Sequence, residues 1–201
     1  FEATDWLSLM LTSRSLARYG WKFTSSANNQ AYLRSAFDAA GGFGAGGRAP
    51  SGDEDLLVQR LGRLAGARIV FADDEEVRVL TRPVDSWKQL VNQRRRWVSR
   101  YHHPIHYRLP FLLSITVLGL QSVALSLALL LLPLFPAALP VVAGLWAFKL
   151  AVELTGMYVG TRQLGRADLF MLPSLGWALL HPFFIATAVI MSFIRPGDWR
   201  G

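Results

Sequence analysis

The sequence predicts an α/β domain followed by a membrane domain made of α-helices. The 201 residues divide by charge, because residues 1–108 hold 16 of the 21 Lys and Arg and 11 of the 14 Asp and Glu. Beyond them the chain is mostly apolar. The front part alternates segments of helical periodicity with two short strand-like segments, 67–72 and 77–80. We therefore divide the chain into residues 1–108 and a membrane domain, residues 109–201.

Composition excludes several classes of protein. Hydrophobic residues make up 52% and charged residues 17% of the chain, which excludes a disordered protein. The absence of Cys excludes disulfides, zinc–thiolate sites and cysteine nucleophiles. The net charge of +7 suits an anionic membrane surface or a nucleic acid. Because the basic residues lie beside an apolar run and lack a recognition motif, we expect no nucleic-acid partner. The chain starts at Phe1 with neither Met nor a signal-peptide pattern, so we expect it to be part of a longer protein, cut at its N-terminus.

The front half begins with two predicted helices. Residues 6–18 carry apolar side chains at helical spacing, which predicts an amphipathic helix lying on a partner domain or on the bilayer surface. Residues 33–40 form a second, short helix, and Gly41 and Gly42 end it in the manner of a C-cap.

Three acids, Asp53, Glu54 and Asp55, precede a further segment of helical periodicity. Carboxylates in the first turn of a helix satisfy free N–H groups and the helix dipole, and spacing alone favours this structural interpretation. The competing interpretation is a general base, since adjacent carboxylates repel and one of them can then accept a proton from a substrate hydroxyl. A second acidic run, Asp73–Glu76, is predicted to be a solvated turn.

Residues 84–100 predict a basic amphipathic helix. Ser86 followed by Gln89 is a capping box. Gln93, Arg96 and Trp97 then fall within one sector of the helix, because they are spaced at i, i+3 and i+4.

That trio of side chains suits a sugar nucleotide. Arg forks onto phosphate oxygens, Trp offers a flat apolar face to a sugar ring, and Gln hydrogen-bonds hydroxyl groups. The alternative is a juxtamembrane basic cluster that anchors the chain to anionic lipid. The residues by themselves leave both interpretations open.

Three apolar runs predict membrane spans at 109–132, 137–160 and 169–194. Lys149 and Glu153 lie four residues apart in the second run, and an intrahelical ion pair is favoured over a polar lining of a translocation path. Pro173 and the His181-Pro182 pair predict a kinked or partly interfacial third run. His181 is predicted to pack between helices and not to bind a metal.

The distribution of Arg predicts the orientation. Five arginines precede the first span (Arg94, Arg95, Arg96, Arg100 and Arg108), and Arg162 and Arg166 lie between the second and third. By the positive-inside rule, we expect both groups of arginines on the cytoplasmic side. We expect the membrane itself to be the inner membrane of the cell.

The motifs together resemble those of membrane-embedded family 2 glycosyltransferases, which include cellulose, chitin and hyaluronan synthases and ceramide glucosyltransferase. Residues 93–97, Gln-Arg-Arg-Arg-Trp, match the family's Q-x-x-R-W motif. Residues 27–37 followed by 41–43 are similar to its Gly-Ala-Asn-x-Ala-Tyr-Arg…Phe…Gly-Gly-Phe stretch, and residues 52–56 are similar to its acidic motif. These features occur in the family's order, with membrane spans directly after the Trp.

The resemblance implies the C-terminal half of a GT-A-type domain and a role for each matched residue. One acid of 53–55 is the base that deprotonates the acceptor hydroxyl: Asp53 when the apolar residues after it are aligned, or Asp55 when Glu54-Asp55 is read as the family's Glu-Asp pair. Gly52 stands where the family usually has Glu.

The remaining matched residues would bind substrate. Trp97 would line the acceptor site, Gln93 and Arg96 would contact the diphosphate or acceptor, and Asn29 would help to shape the site. The family's nucleotide-binding strands and the D-x-D motif that accompanies them, which binds Mg²⁺ or Mn²⁺, are absent from these residues; the D-x-D spacing of Asp53 and Asp55 belongs to the acidic motif already matched to the base. We therefore expect the metal and the nucleotide to be bound elsewhere in a longer protein, and this chain alone to be inactive.

The leading hypothesis is an inverting enzyme that moves a sugar from a nucleotide-sugar donor to a lipid or glycan acceptor at the membrane. A processive polysaccharide synthase is an alternative within that class. The alternative outside it is a non-catalytic membrane scaffold whose basic helix binds anionic lipid.

Overall fold

The structure, a computed structural model, describes residues 1–22, 24–44, 53–72, 74–99 and 109–194. Gly52, Asp73, Arg100 and Arg108, which entered the predictions above, lie outside these residues. Of the described residues 74% are helical. Their α-helices are α1 (Glu2–Arg18), α2 (Arg34–Ala39), α3 (Asp53–Leu61), α4 (Trp87–Ser99), α5 (Leu109–Leu131), α6 (Leu139–Gln163) and α7 (Leu172–Ile194).

The prediction of an α/β fold, and with it that of the C-terminal half of a GT-A-type domain, is wrong. The described part of the chain contains no strand or sheet. Residues 67–72 are irregular, and a 3-10 turn, Glu75–Val77, occupies the start of the second predicted strand. A strand needs a neighbour to pair its backbone N–H and C=O groups. Phe71 instead packs, partly buried, against a core of helical residues, whereas Val70 and Leu80 are exposed.

The short helices of the front half end and begin as their sequences predict. Gly41 and Gly42, after α2, have φ of 76° and 58°, a left-handed conformation that suits Gly. Their N–H groups donate to the carbonyls of Asp38 (3.0 Å) and Phe37 (2.9 Å). α3 follows with its acids in the first turn and Leu57 fully buried.

Three helices are long and apolar enough to cross a membrane: Leu109–Leu131, Pro136–Gln163 and Leu172–Ile194. Each of the three predicted spans therefore coincides with a helix of sufficient length and apolarity. α7 begins at Leu172, one residue before Pro173, and continues as one helix through His181 and Pro182. The kinked or partly interfacial third run stays a prediction.

α7 is the central helix of the described structure, and it packs against α1, α4, α5 and α6. The main hydrophobic cluster joins Leu7 of α1 to Met157 of α6 and Trp177 of α7. α1 approaches α6 closely at Gly160, where any side chain would overlap Leu11. The front half therefore rests directly on the membrane-spanning helices.

Candidate functional site

α4 begins at the predicted capping box. The hydroxyl oxygen of Ser86 accepts the N–H of Gln89 at 3.3 Å, and the side-chain oxygen of Gln89 accepts the N–H of Asp85 at 2.8 Å. These bonds satisfy N–H groups that the first turn of a helix leaves without partners. The helix then packs along α7 and buries Leu90, Arg94 and Arg95.

A buried ion pair joins α4 to α1. The guanidinium of Arg94 donates to Oδ2 of Asp5 through both Nε, at 2.9 Å, and Nη2. Asp5 and Arg94 are only 2% and 4% exposed. The other carboxylate oxygen, Oδ1, accepts the indole N–H of Trp177 at 3.0 Å. One carboxylate thus connects α1, α4 and the membrane-spanning helix α7.

Arg94 also orders the two residues beside it in the Gln-Arg-Arg-Arg-Trp motif. Its guanidinium carbon lies 3.9 Å from the ring centroid of Trp97, a cation–π contact. Its Nη1 donates to the side-chain oxygen of Gln93 at 2.7 Å. Trp6 of α1 packs edge-on against Trp97, with ring centroids 5.3 Å apart. Gln93 and Trp97 both remain half-buried, so each retains surface for a ligand.

We call Asp5, Arg94, Trp97, Trp177 and His181 the Asp5 network. His181 belongs to it because its Nε2 lies 3.8 Å from Oδ1 of Asp5 and its ring packs 4.5 Å from that of Trp177. His181 is therefore a helix-packing residue, as the sequence predicts, but one that packs on a carboxylate.

The arginine that the structure places among these contacts is Arg94, whereas the sequence reasoning selected Arg96. Because Asp5 and Gln93 occupy the guanidinium of Arg94, that group has little capacity left for a phosphate. Arg96 is half-buried on α4 and keeps its predicted role as a hypothesis. Asp5 was missed because a first-turn acid is ordinarily explained by the helix dipole. Its burial depends on contacts 89 and 172 residues away in sequence.

The three acids lie in the first turn of α3 and differ in burial. Asp55 is 1% exposed, and its Oδ1 accepts the hydroxyl of Thr24 at 2.7 Å and the N–H of Ser25 at 3.2 Å. Asp55 therefore fixes the segment before the Asn-Asn motif onto α3. Asp53 and Glu54 are half-buried and more accessible.

Asn29 lies in the 3-10 turn Ala27–Asn29 and is exposed. Its amide donates to the carbonyl of Val77 at 2.7 Å. The next residue, Gln30, donates to the hydroxyl of Ser25 at 3.1 Å. The Asn-Asn segment is thus brought to α3 through its neighbours, and the side chain of Asn29 itself holds a distant loop.

The predicted residues fall into separate groups that are linked by α1. α3 packs beside Leu16 through Leu56, whereas α4 contacts Asp5 and Trp6. Trp6 and Leu16 are ten residues apart, or about 15 Å along a helix axis. No hydrogen bond or ring contact joins Asp53 to Trp97 in the part of the chain that the structure describes. A substrate that used both would have to extend along α1.

A second polar group lies between α6 and α7. Lys149 pairs with Glu153 at 2.5 Å, as their spacing predicts, and its Nζ also donates to the carbonyl of Ala178 at 2.5 Å. Pro182 has no N–H, so the carbonyl four residues before it loses its helical partner. That carbonyl belongs to Ala178, and Lys149 supplies the missing donor. Lys149 therefore pairs with Glu153 within α6 and also links α6 to α7.

Nothing in the described ranges offers a metal site, since they contain no group of three or more His, Asp or Glu side chains suited to hold an ion.

No protein-family model, no curated protein and no solved structure matches this chain. The class that the fold defines is an α-helical membrane protein, with helices α5, α6 and α7 as its membrane part.

Proposed function

We propose that this chain is the acceptor-side and membrane-anchoring part of an inverting glycosyltransferase. That enzyme would move a sugar from a nucleotide-sugar donor to a hydroxyl group of a lipid or glycan acceptor. One observation carries the proposal: α4 packs along a membrane-spanning helix and holds Gln93 and Trp97 in fixed, partly exposed positions. An acceptor at the membrane surface would meet an ordered indole and amide there.

The two side chains suit a carbohydrate. An indole face stacks on the apolar face of a sugar ring, and an amide exchanges hydrogen bonds with its hydroxyl groups. Because Arg94 is occupied by Asp5 and Gln93, Arg96 is the residue of the motif that we propose for a phosphate or hydroxyl group of an acceptor that extends along α1 towards Asp53.

For the base we propose Asp53. Asp55 is buried and holds Thr24 and Ser25, which is a structural task. Asp53 is accessible in the first turn of the same helix, where a carboxylate can accept the proton of an acceptor hydroxyl. The donor nucleotide and the Mg²⁺ or Mn²⁺ implied by the resemblance would be held by residues outside those described, and no step here depends on them.

The proposal includes a location. With Arg94, Arg95 and Arg96 directly before α5, and Arg162 and Arg166 near the α6–α7 connection, the front half would face the cytoplasm and the spans would lie in the inner membrane.

The test is sugar transfer by membranes containing the full-length protein that carries this chain, assayed with a panel of radiolabelled nucleotide sugars. Asp53→Asn should lower the rate by about 100-fold or more, the range of general-base catalysis. Trp97→Ala should lower it at least tenfold, whereas Trp87→Phe, which keeps an aromatic ring beside Phe1 and Phe184, should have little effect.

Membrane insertion of each variant is measured in parallel. Transfer that survives both Asp53→Asn and Trp97→Ala at normal levels would exclude these residues from catalysis. An inserted wild-type protein with no transfer from any donor would instead favour the lipid-binding scaffold.

A further inference from the structure

We propose that Asp5 is a positioning residue for the carbohydrate-binding surface: it holds Arg94, and through it Trp97 and Gln93, in register with membrane-spanning helix α7. This inference rests on the proposed function for its consequence in catalysis. The positioning itself is independent of that function and is tested separately below.

Both oxygens of the Asp5 carboxylate accept hydrogen bonds. Oδ2 of Asp5 accepts two N–H groups of Arg94, and Oδ1 accepts the indole N–H of Trp177. The planar fork of a guanidinium fixes orientation as well as charge, which an ammonium group does not. The plane of Arg94 is therefore set by a carboxylate that is itself fixed to α7.

Arg94 in turn orients two residues at the surface. Its guanidinium lies 3.9 Å from the centroid of Trp97, and its Nη1 holds Gln93 at 2.7 Å. Both residues proposed to meet the carbohydrate thus contact one buried cation. That contact and the edge of Trp6 both restrict the ring of the half-buried Trp97.

The other ionisable side chains near Asp5 come from α4, α7 and α6. Arg94 of α4 pairs with it directly, and His181 of α7 lies 3.8 Å from it. Nearby on α6, Lys149 is engaged by Glu153 and by the carbonyl of Ala178. Glu153 thus serves as the counter-charge of Lys149, and Asp5 serves as that of Arg94. Neutralisation of Asp5 should release Arg94 while leaving an oxygen for Trp177.

The experiment uses the chain labelled with 5-fluorotryptophan and incorporated in lipid nanodiscs, observed by ¹⁹F NMR. Trp97→Phe, Trp6→Phe and Trp177→Phe assign three of the seven Trp resonances. In Asp5→Asn, the Trp97 resonance should shift and narrow as the ring gains freedom, whereas the Trp177 resonance should keep its chemical shift and line width.

Two further variants keep the test decisive. Arg94→Lys retains the charge but not the fork, so the Trp97 resonance should move in the same direction even if Asp5→Asn fails to fold. Asp168→Asn is the matched control, since Asp168 also accepts a two-point contact from an arginine, Arg166, but at the exposed α6–α7 connection. It should leave every Trp resonance in place.

An unchanged Trp97 resonance in a folded Asp5→Asn or Arg94→Lys chain overturns the positioning role. In the full-length protein, Asp5→Asn should raise KM for the acceptor about tenfold while kcat changes less than threefold, and Asp5→Glu should recover part of the loss. A Trp97 resonance that responds as expected, in a wild-type protein without any sugar transfer, would instead refute the proposed function and leave the positioning role intact.

Discussion

The stability of the bundle should depend steeply on the Asp5–Arg94 ion pair, because the pair is buried where water cannot replace a lost partner. Asp5→Asn removes the counter-charge of Arg94 and leaves a buried guanidinium with the amide oxygen of Gln93 as its remaining acceptor. Removing one partner of a buried pair costs about 3–5 kcal/mol. We expect the lower end of this range for Asn, because it retains an oxygen for the indole N–H of Trp177. Asp5→Ala, which loses that bond too, should cost about 1 kcal/mol more.

Replacing both partners should behave differently. Asp5→Leu combined with Arg94→Met leaves no uncompensated charge, and such exchanges are often neutral or stabilising. Since Trp177 loses its acceptor, we expect the double variant to lie within about 1–2 kcal/mol of wild type. The single changes should therefore be far from additive.

The assay is reversible unfolding in mixed detergent micelles, followed by far-UV circular dichroism. One double-mutant cycle compares wild type, Asp5→Leu, Arg94→Met and the double variant. Asp168→Asn is the control and should give no measurable change, because that pair is exposed. Single-variant losses that simply add up in the double variant would show that Asp5 and Arg94 do not depend on each other, and the reasoning would be wrong.

Two other predictions concern the membrane helices and their connection. Lys149→Met should destabilise the bundle by about 3 kcal/mol, because Glu153 and the carbonyl of Ala178 both lose their donor; unfolding in micelles equal to wild type would contradict this. The hydrogen bonds from Arg166 hold the pKa of Asp168 below its usual value. A depressed carboxyl pKa contributes stability above the unfolded value, about 3.9, and loses it as the pH falls through the folded value. The protection factors of amides in the α6–α7 connection, which are corrected for the intrinsic pH dependence of exchange, should therefore fall below about pH 4, and more weakly so in Asp168→Asn.

The sequence predicted the elements whose signals are local. The three membrane helices follow from long apolar runs, the start of α4 follows from Ser86 and Gln89, and the end of α2 follows from Gly41 and Gly42. In each case a few neighbouring residues settle the backbone, so no knowledge of the tertiary fold is needed.

The strands were mispredicted because a strand is defined by its partner. The apolar residues of 67–72 indicate burial, but Val70 is exposed, and Phe71 is partly buried against helices and not in a sheet. Strand propensity measures fit to a half-buried surface more than an intrinsic backbone preference. Here the surface formed by the helices offers that fit to Phe71.

The candidate site was predicted in part, for a related reason. Gln93 and Trp97 were found because they share one face of one helix. Arg94 was passed over because its partner, Asp5, lies at the other end of the front half. Three consecutive arginines look alike in sequence, and only the tertiary fold distinguishes the one that pairs with Asp5 from the others.

In the apolar helices, some contacts between buried polar groups can be predicted from the sequence, because such groups need partners. Pro182 in an apolar run predicts that the carbonyl of Ala178 lacks a helical donor, and Lys149 in the preceding run is a donor in need of burial. Both demands are readable from the sequence, and the loop between α6 and α7 is short enough to make the helices neighbours. The structure joins them at 2.5 Å. The same reasoning applied to Asp5 would have predicted that it has a cationic partner. It would not have identified Arg94, because no short connection restricts the choice.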